Sequence, residues 1–557
     1  MKRNLRELSN NHYDLLVIGG GIYGVCVAWD ATLRGLKVAL VEQKDFGSAT
    51  SANSLKTIHG GLRYLQHADL KRMRESIRER TTLMRIAPHL IHPLPILFPT
   101  YGHGMKGKEV MATALFLNDL ISYDRNCLQD PQKYIPNGRV ISSPECQQLL
   151  PGIPSQGLSG AAIFYDAQVY NSERLTLAFL RSAVEKGAKI ANYVKVTDFL
   201  NQGKQIEGVQ VEDVLGGEKF EIRAKTVVNT SGPWINRVLG LLKVEPHTTP
   251  VAFAKAMNLV LRRPLFAQYA VGIYSQNDYS DPDAVLNKGS RLLFVAPWRG
   301  KSMVGTAYHV CDQDPDSWAV TETEIQELLT DINQAYPFAN LTREDVAWVH
   351  AGLLPRSGIS STGEPIMAKH YHIDDYQQAG LQGLISVTGV KYTTARDVAT
   401  KVVDRVFQSW GQKPLPSPSS VTPVYGGKID KFDYFLHHAI QEQSYRLSSE
   451  VMSRLVYNYG SAYSEVLKYL DTDSAEVTDL DVIKAEVLYA VNEEMAQTLE
   501  DVILRRTELG SAGYPGTEVI NFCAQIMAQK LAWSHIKQQQ EIAKIEGLYR
   551  NRPLAIV

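Results

Sequence analysis

Three short stretches of this 557-residue chain set glycine beside groups that bind anions or move protons: GGGIYG at 19–24, KTIHGGLRYL at 56–65 and GVKYTTAR at 389–396. The second is the hardest to read as ordinary structure. His59, Gly60, Gly61 and Arg63 follow one another closely, with Tyr64 next. A turn would explain the two glycines. It would not explain an imidazole, which transfers protons near neutral pH, beside a guanidinium, which grips phosphate or carboxylate through paired donors. The third stretch carries Lys391, a fixed cation of the kind that stabilises charge developing in a reaction. Thr393 can hydrogen-bond at the same end, and Arg396 can serve a substrate anion or the following helix.

The elements around these residues say what they are positioned against. Tyr13 to Ile18 is a short apolar run suited to a central parallel strand, and it passes straight into Gly19-Gly20-Gly21-Ile22-Tyr23-Gly24. A helical pattern, IYGVCVAWDATLR, ends at Gly35, and KVALVE returns as a second strand ending at Glu42. Gly19 permits the tight turn, Gly21 lets a pyrophosphate approach the backbone, and Gly24 lets the helix pack closely on the strand. The helix start offers free N–H groups to phosphate, and Glu42 can accept hydrogen bonds from a ribose. After Glu42 comes QKDFGSATSANSLKTIHGGLRYL, polar and glycine-containing, where a nicotinamide domain would move quickly to another crossover helix. Such a segment suits the longer FAD: Thr50 and Ser51 offer hydroxyls, and Gly60 and Gly61 can bring backbone up to a flat ring. Further on, TVVN leads into TSGPW, a strand ending at Gly232, and LISVT leads to Gly389; both glycines can approach the same ligand.

Taken together, GGGIYG, the ATS of GSATS, Lys56 with IHGGLRYL, NTSGPW and GVKYTTAR resemble the FAD-dependent glycerol-3-phosphate dehydrogenase and oxidase family. The resemblance implies an α/β fold: an FAD-binding Rossmann-like domain of the glutathione-reductase and D-amino-acid-oxidase type, a mixed-sheet substrate domain and a C-terminal helical domain. It also implies cofactor contacts at Lys56, His59, Val194 and Lys391 besides the positions above. Lys391, His59 and Arg63 are the expected catalytic groups, and Arg63, Arg356, Arg396, Lys255 and Asn258 the expected substrate contacts. Two positions depart from the family pattern. In KAMN, Asn258 stands where a histidine is expected, and in AGLLPR, Leu354 stands where an arginine is expected, with Arg356 two residues later. The implied reaction is oxidation of sn-glycerol 3-phosphate to dihydroxyacetone phosphate, with electrons passed to quinone. Dioxygen as acceptor, another polyol phosphate or an amine as substrate, and a noncatalytic flavin-binding redox protein are alternative readings.

The expected organisation is a cofactor domain in three parts, 1–90, 161–239 and 346–412, interrupted by a substrate-domain excursion at 91–160 and a substrate domain at 240–345. A helical domain follows at 425–557. Within the substrate domain, Thr321 and Glu324 have capping-box spacing ahead of a helix. The run Leu488, Val491, Met495, Leu499 and Val502 fits one face of a helix, with Glu493, Glu494, Arg505 and Arg506 on its solvated side. A formal net charge of −1 gives no overall pull toward nucleic acid. Five scattered cysteines suggest neither a disulfide framework nor a metal site, and fit a reducing, cytoplasmic setting. The start reads as a buried strand rather than a signal peptide, and no apolar run is long enough to span a bilayer. Peripheral contact with the inner face of the cell membrane and a homodimer are left open.

Overall fold

The computed structural model describes residues 1–67, 69–102, 107–242, 249–276, 292–442, 447–470 and 477–550; the side chains of residues 63, 66 and 67 are outside that description. Two sheets organise the chain. The first has the spatial order His372–Asp375, Leu384–Thr388, Lys219–Asn229, His12–Ile18, Val38–Val41, Lys189–Ala191, and a hairpin of Val194–Gln202 and Gln205–Asp213 joins it alongside Lys219–Asn229. Its central pairings are parallel, with Ile18 opposite both Val41 and Asn229. The period of two in YDLLVI divides its residues between two cores. Leu15 and Val17 pack with the helices Ile22–Leu33, Ser172–Glu185 and Ala395–Ser409. Leu16 and Ile18 pack on the hairpin side. Burial on both faces is what a continuous apolar strand predicts.

The second sheet has ten strands, in the order Pro365–Met367, Val346–Ile359, Ala252–Leu261, Lys301–Cys311, Leu292–Trp298, Ala270–Tyr274, Ile91–Tyr101, Leu158–Val169, Thr57–Ile58, with Arg139–Ser142 beside Leu158–Val169. It gathers distant parts of the chain. Val346–Ile359 and Pro365–Met367, expected in the last part of the cofactor domain, pair into this sheet instead, because Ala252–Leu261 runs antiparallel to Val346–Ile359 along nearly its whole length. Asp166 sits within Leu158–Val169, and the next helix starts at Ser172 behind an Asn171 cap. The helix Glu322–Ala335 covers the sheet, and Thr321 and Glu324 form the expected capping box.

The C-terminal region is helical from Phe432 to Arg550 among the described residues, with two apolar clusters of its own. The single helix face expected over 488–502 is not formed. The helix Asp479–Glu493 stops, Met495 adopts a positive φ of 56°, and a π-helical turn takes Asp501–Arg506. Of the four charges expected on its solvated side, Glu493 keeps a side chain 41% exposed, but Glu494, Arg505 and Arg506 are buried, and both arginines reach Asp45 of the first domain. Apolar spacing shows which residues face a core, but it does not show that the charges between them meet a second domain.

Candidate active site

A cavity of about 910 Å³ runs from the C-terminal ends of the parallel strands to the inner wall of the second sheet. That is within the usual range for a large buried ligand. At the strand ends it is lined by Gly19, Gly21, Glu42, Ser51, Val194 and Gly232. Gly19 has a φ of 102°, and a Cβ there would press on the backbone of Thr230 and Ser231. A Cβ on Gly24 would overlap the Gly19 carbonyl oxygen, so this glycine serves helix-to-strand packing and does not face the cavity. Gly21 caps the helix Ile22–Leu33 with no side chain of its own, and Ser51 Oγ accepts the Ile22 N–H at 2.9 Å. The Ser51 hydroxyl proton is thereby left to donate to an anion at the helix start. Glu42 accepts N–H groups from Gly20 at 2.7 Å and Lys44 at 2.9 Å. Burial raises its pKa despite these bonds.

These features fit FAD. The glycine turn, the helix start and Ser51 would hold its diphosphate, Glu42 and Val194 its adenosine side, and Gly61, Gly389 and Lys391 its ring side. Thr50 also lines the cavity, but its hydroxyl donates to the Leu353 carbonyl at 2.9 Å and ties this loop to the second sheet.

At the other end, three separated segments meet. His59 follows the short strand Thr57–Ile58, and its Nδ1 is 3.1 Å from Asp166 Oδ2. The other Asp166 oxygen accepts the Gly60 N–H at 2.6 Å and the Arg80 guanidinium at 3.2 Å. Burial opposes ionisation of Asp166, but the bond and charge of His59, the charge of Arg80 and the Gly60 N–H together hold it below the usual carboxylate range. The His59 N–H donates to Thr393 Oγ1 at 3.3 Å, joining this loop to the segment that carries Lys391. The Tyr23 hydroxyl bonds the Lys391 backbone from the first crossover helix, donating to its carbonyl at 2.7 Å. A Cβ on Gly389 would overlap the Tyr23 ring. Lys391 Nζ lies 4.1 Å from the centroid of Tyr64. The place of Asp166 opposite His59 depends on long-range pairing of Leu158–Val169 with Thr57–Ile58.

The second sheet supplies the facing wall, including Phe294, Tyr308, Leu354 and Asn258. Asn258 Oδ1 accepts from Thr306 Oγ1 at 2.8 Å, and its amide reaches the Asn53 carbonyl at 3.4 Å.

Several expected contacts are elsewhere. Lys56 is fully buried, and its ammonium is consumed by Glu173, Ser172 and the Ala52 carbonyl. Gly60 is off the cavity; a Cβ there would overlap the Arg80 guanidinium, so its bareness serves the Asp166 network rather than a flat ring. Lys255 pairs with Glu324 and the Ala319 carbonyl. Arg356 is drawn outward to Asp312 and the Phe253 carbonyl. Arg396 is buried against Glu79 and Ser419. Arg63 belongs to the 3₁₀ turn Leu62–His67, and its side chain lies outside the described residues.

Residues 14–395 match the FAD dependent oxidoreductase family, so the chain belongs to that class and is an enzyme that takes FAD. Residues 420–538 match the C-terminal domain of alpha-glycerophosphate oxidase. Within the class, the chain belongs to the glycerol-3-phosphate dehydrogenase family. It is 32% identical to glycerol-3-phosphate dehydrogenase of Synechocystis sp., with 97% of each chain covered. To the aerobic glycerol-3-phosphate dehydrogenase of Staphylococcus haemolyticus it is 31% identical, covering 90% of this chain and 88% of that one. The structure is similar to that of the glycerol-3-phosphate dehydrogenase from Bacillus halodurans complexed with FAD, with a TM-score of 0.75 and 26% identity over 97% of this chain and 95% of that one.

Proposed function

We propose that this chain oxidises sn-glycerol 3-phosphate to dihydroxyacetone phosphate and passes the electrons to a membrane quinone. The observation that carries the chemistry is the His59–Asp166 pair at the ring end of a cavity built on the GGGIYG turn. With Nδ1–H donating to Asp166, His59 Nε2 keeps its lone pair and can take the proton of the secondary hydroxyl. Asp166 then stabilises the imidazolium. FAD, when bound, accepts the hydride from the carbon that becomes the ketone. Lys391 sets a cation at the same end, where negative charge develops, and the second sheet keeps water from the reacting carbon.

The helix Lys108–Ile121 supports quinone over dioxygen. Val110, Met111 and Ala114 line the cavity. On its other side Phe116 and Leu120, with Tyr123 just beyond, are 62–78% exposed. An exposed apolar face on a helix whose opposite side lines the cavity suits a lipid-dissolved acceptor and peripheral contact with a bilayer. No helix among the described residues is long and apolar enough to cross a membrane.

The test is anaerobic reduction of the bound flavin by sn-glycerol 3-phosphate, followed by reoxidation with quinone-loaded vesicles or with dioxygen. Bleaching by this substrate and faster reoxidation by quinone are expected. A flavin that stays oxidised overturns the substrate; faster reoxidation by dioxygen overturns the acceptor.

A further inference from the structure

If the substrate is a phosphorylated polyol, the cavity must hold a phosphate, and the expected cations whose side chains are described have been diverted. Leu354 has no donor. Arg356, Lys255 and Arg396 are committed to Asp312, Glu324 and Glu79. Arg237 lines the cavity at the nucleotide end, where Asp314 and Asp316 already take its guanidinium.

Arg72 is different. It belongs to the basic helix Leu70–Ile86, whose other charges mostly face solvent or, like Glu79 and Arg80, are paired in the interior. It lines the cavity with its side chain only 12% exposed. Its guanidinium carbon stands 4.5 Å from the Tyr64 centroid, the ring that Lys391 also approaches. Its one acid among the described residues is the local Asp69, which caps the helix by accepting the Arg72 N–H and meets NH1 at a long 3.3 Å. Its Nε is buried with no hydrogen-bond partner among the described residues. A buried donor left unmade is costly, and a planar guanidinium with open donors matches the geometry of phosphate oxygens. Lys369 lines the same cavity, with Glu364 among the acids there.

We infer that Arg72 grips the substrate phosphate, so that the guanidinium lacking at position 354 is supplied from the helix behind Tyr64. Arg72 thereby determines specificity for the phosphorylated over the free polyol. This rests on the phosphorylated-polyol reading above.

The test uses the FAD-loaded full chain and its Arg72→Met and Arg72→Lys variants. Flavin reduction by sn-glycerol 3-phosphate and by glycerol is followed anaerobically, and inorganic phosphate is titrated while the flavin spectrum is recorded. In Arg72→Met, the half-saturating concentration of sn-glycerol 3-phosphate should rise about 10- to 100-fold, with a much smaller change in the limiting rate. The preference over glycerol should fall by a similar factor. Arg72→Lys, which keeps the charge but loses the fork, should fall between. An unchanged half-saturation and phosphate response in both variants overturns the assignment, as does an equal loss for glycerol. The phosphate titration separates the two readings. Should wild type bind phosphate but not be reduced by sn-glycerol 3-phosphate, the substrate is wrong, and loss of phosphate binding in the variants still assigns Arg72.

Discussion

Replacing Asp45 by Asn should loosen the joint between the cofactor loop and the helical domain. In the native chain Asp45 is fully buried and accepts from Arg506 NH1 and NH2 at 2.7 Å, from Arg505 Nε at 2.6 Å and from Asn192 Nδ2 at 3.1 Å. Burial opposes its ionisation, but the two guanidinium groups overcome this and hold the carboxyl well below the usual carboxylate range. Asn keeps the shape but turns one acceptor into an amide donor facing an arginine. Two buried cations then have lost their shared anion. Removing one partner of such a pair typically costs about 3–5 kcal/mol, a large part of the ~5–15 kcal/mol that holds a domain folded. At ~1.4 kcal/mol per tenfold, the opening equilibrium of this joint should rise by roughly two to three and a half decades. Hydrogen exchange followed by peptide mass analysis reads this directly. Exchange in 43–52 and 495–507 should accelerate in Asp45→Asn, while the strands His12–Ile18 and Ala252–Leu261 stay protected. FAD should dissociate faster, because Gly47, Ser48 and Ser51 of the same loop line the cavity. Unchanged exchange and unchanged FAD retention would refute the claim that this buried pair holds the loop. The sign with pH is fixed as well. A depressed carboxyl contributes stability above its unfolded pKa of about 3.9, and that contribution fades as pH falls below it toward the native value. Asp45→Asn should therefore differ most from wild type near neutrality and least in acid.

Other substitutions separate the roles assigned to single residues. Gly24→Ala should prevent FAD retention, since its Cβ would overlap the Gly19 carbonyl, which backbone movement alone can relieve; co-purified flavin absorbance checks this. Asp166→Asn should lower the limiting rate of flavin reduction about 10²- to 10⁴-fold, the usual contribution of acid–base catalysis, and shift its pH profile, with FAD still bound; an unaltered profile would remove His59 as the base. Lys56→Met should destabilise the fold by about 3–5 kcal/mol by stranding the buried Glu173 carboxylate, whereas Lys56→Met with Glu173→Leu should recover much of the loss in urea unfolding. Phe116→Ser with Leu120→Ser should weaken vesicle binding and quinone reoxidation without slowing reduction by substrate.

What could be read from the chain was local. The GGGIYG turn, the Glu42 strand end and the Thr321 capping box each depend on neighbours within a few residues, and their spacing carries that information. The class of cofactor was legible for the same reason. The substrate end was not, because each group there is decided by a partner far along the chain. Lys56 resembled a cofactor contact until Glu173 was seen to take it, and Arg396 resembled an anion site until Glu79 closed on it. Gly60 is expected to bring backbone up to a flat ring, but its close neighbour is Arg80, reached through the long strand that carries Asp166. Arg505 and Arg506 looked solvated because a run of charges beside an apolar face usually is. A charged side chain beside a glycine-rich segment is not for that reason available to a ligand. In a chain where sheets gather segments hundreds of residues apart, a cation is available only after its acid partners have been counted. Once Lys56, Lys255, Arg356 and Arg396 are removed on that ground, Arg72 stands out among the described arginines as one that lines the cavity with a buried donor still unmet.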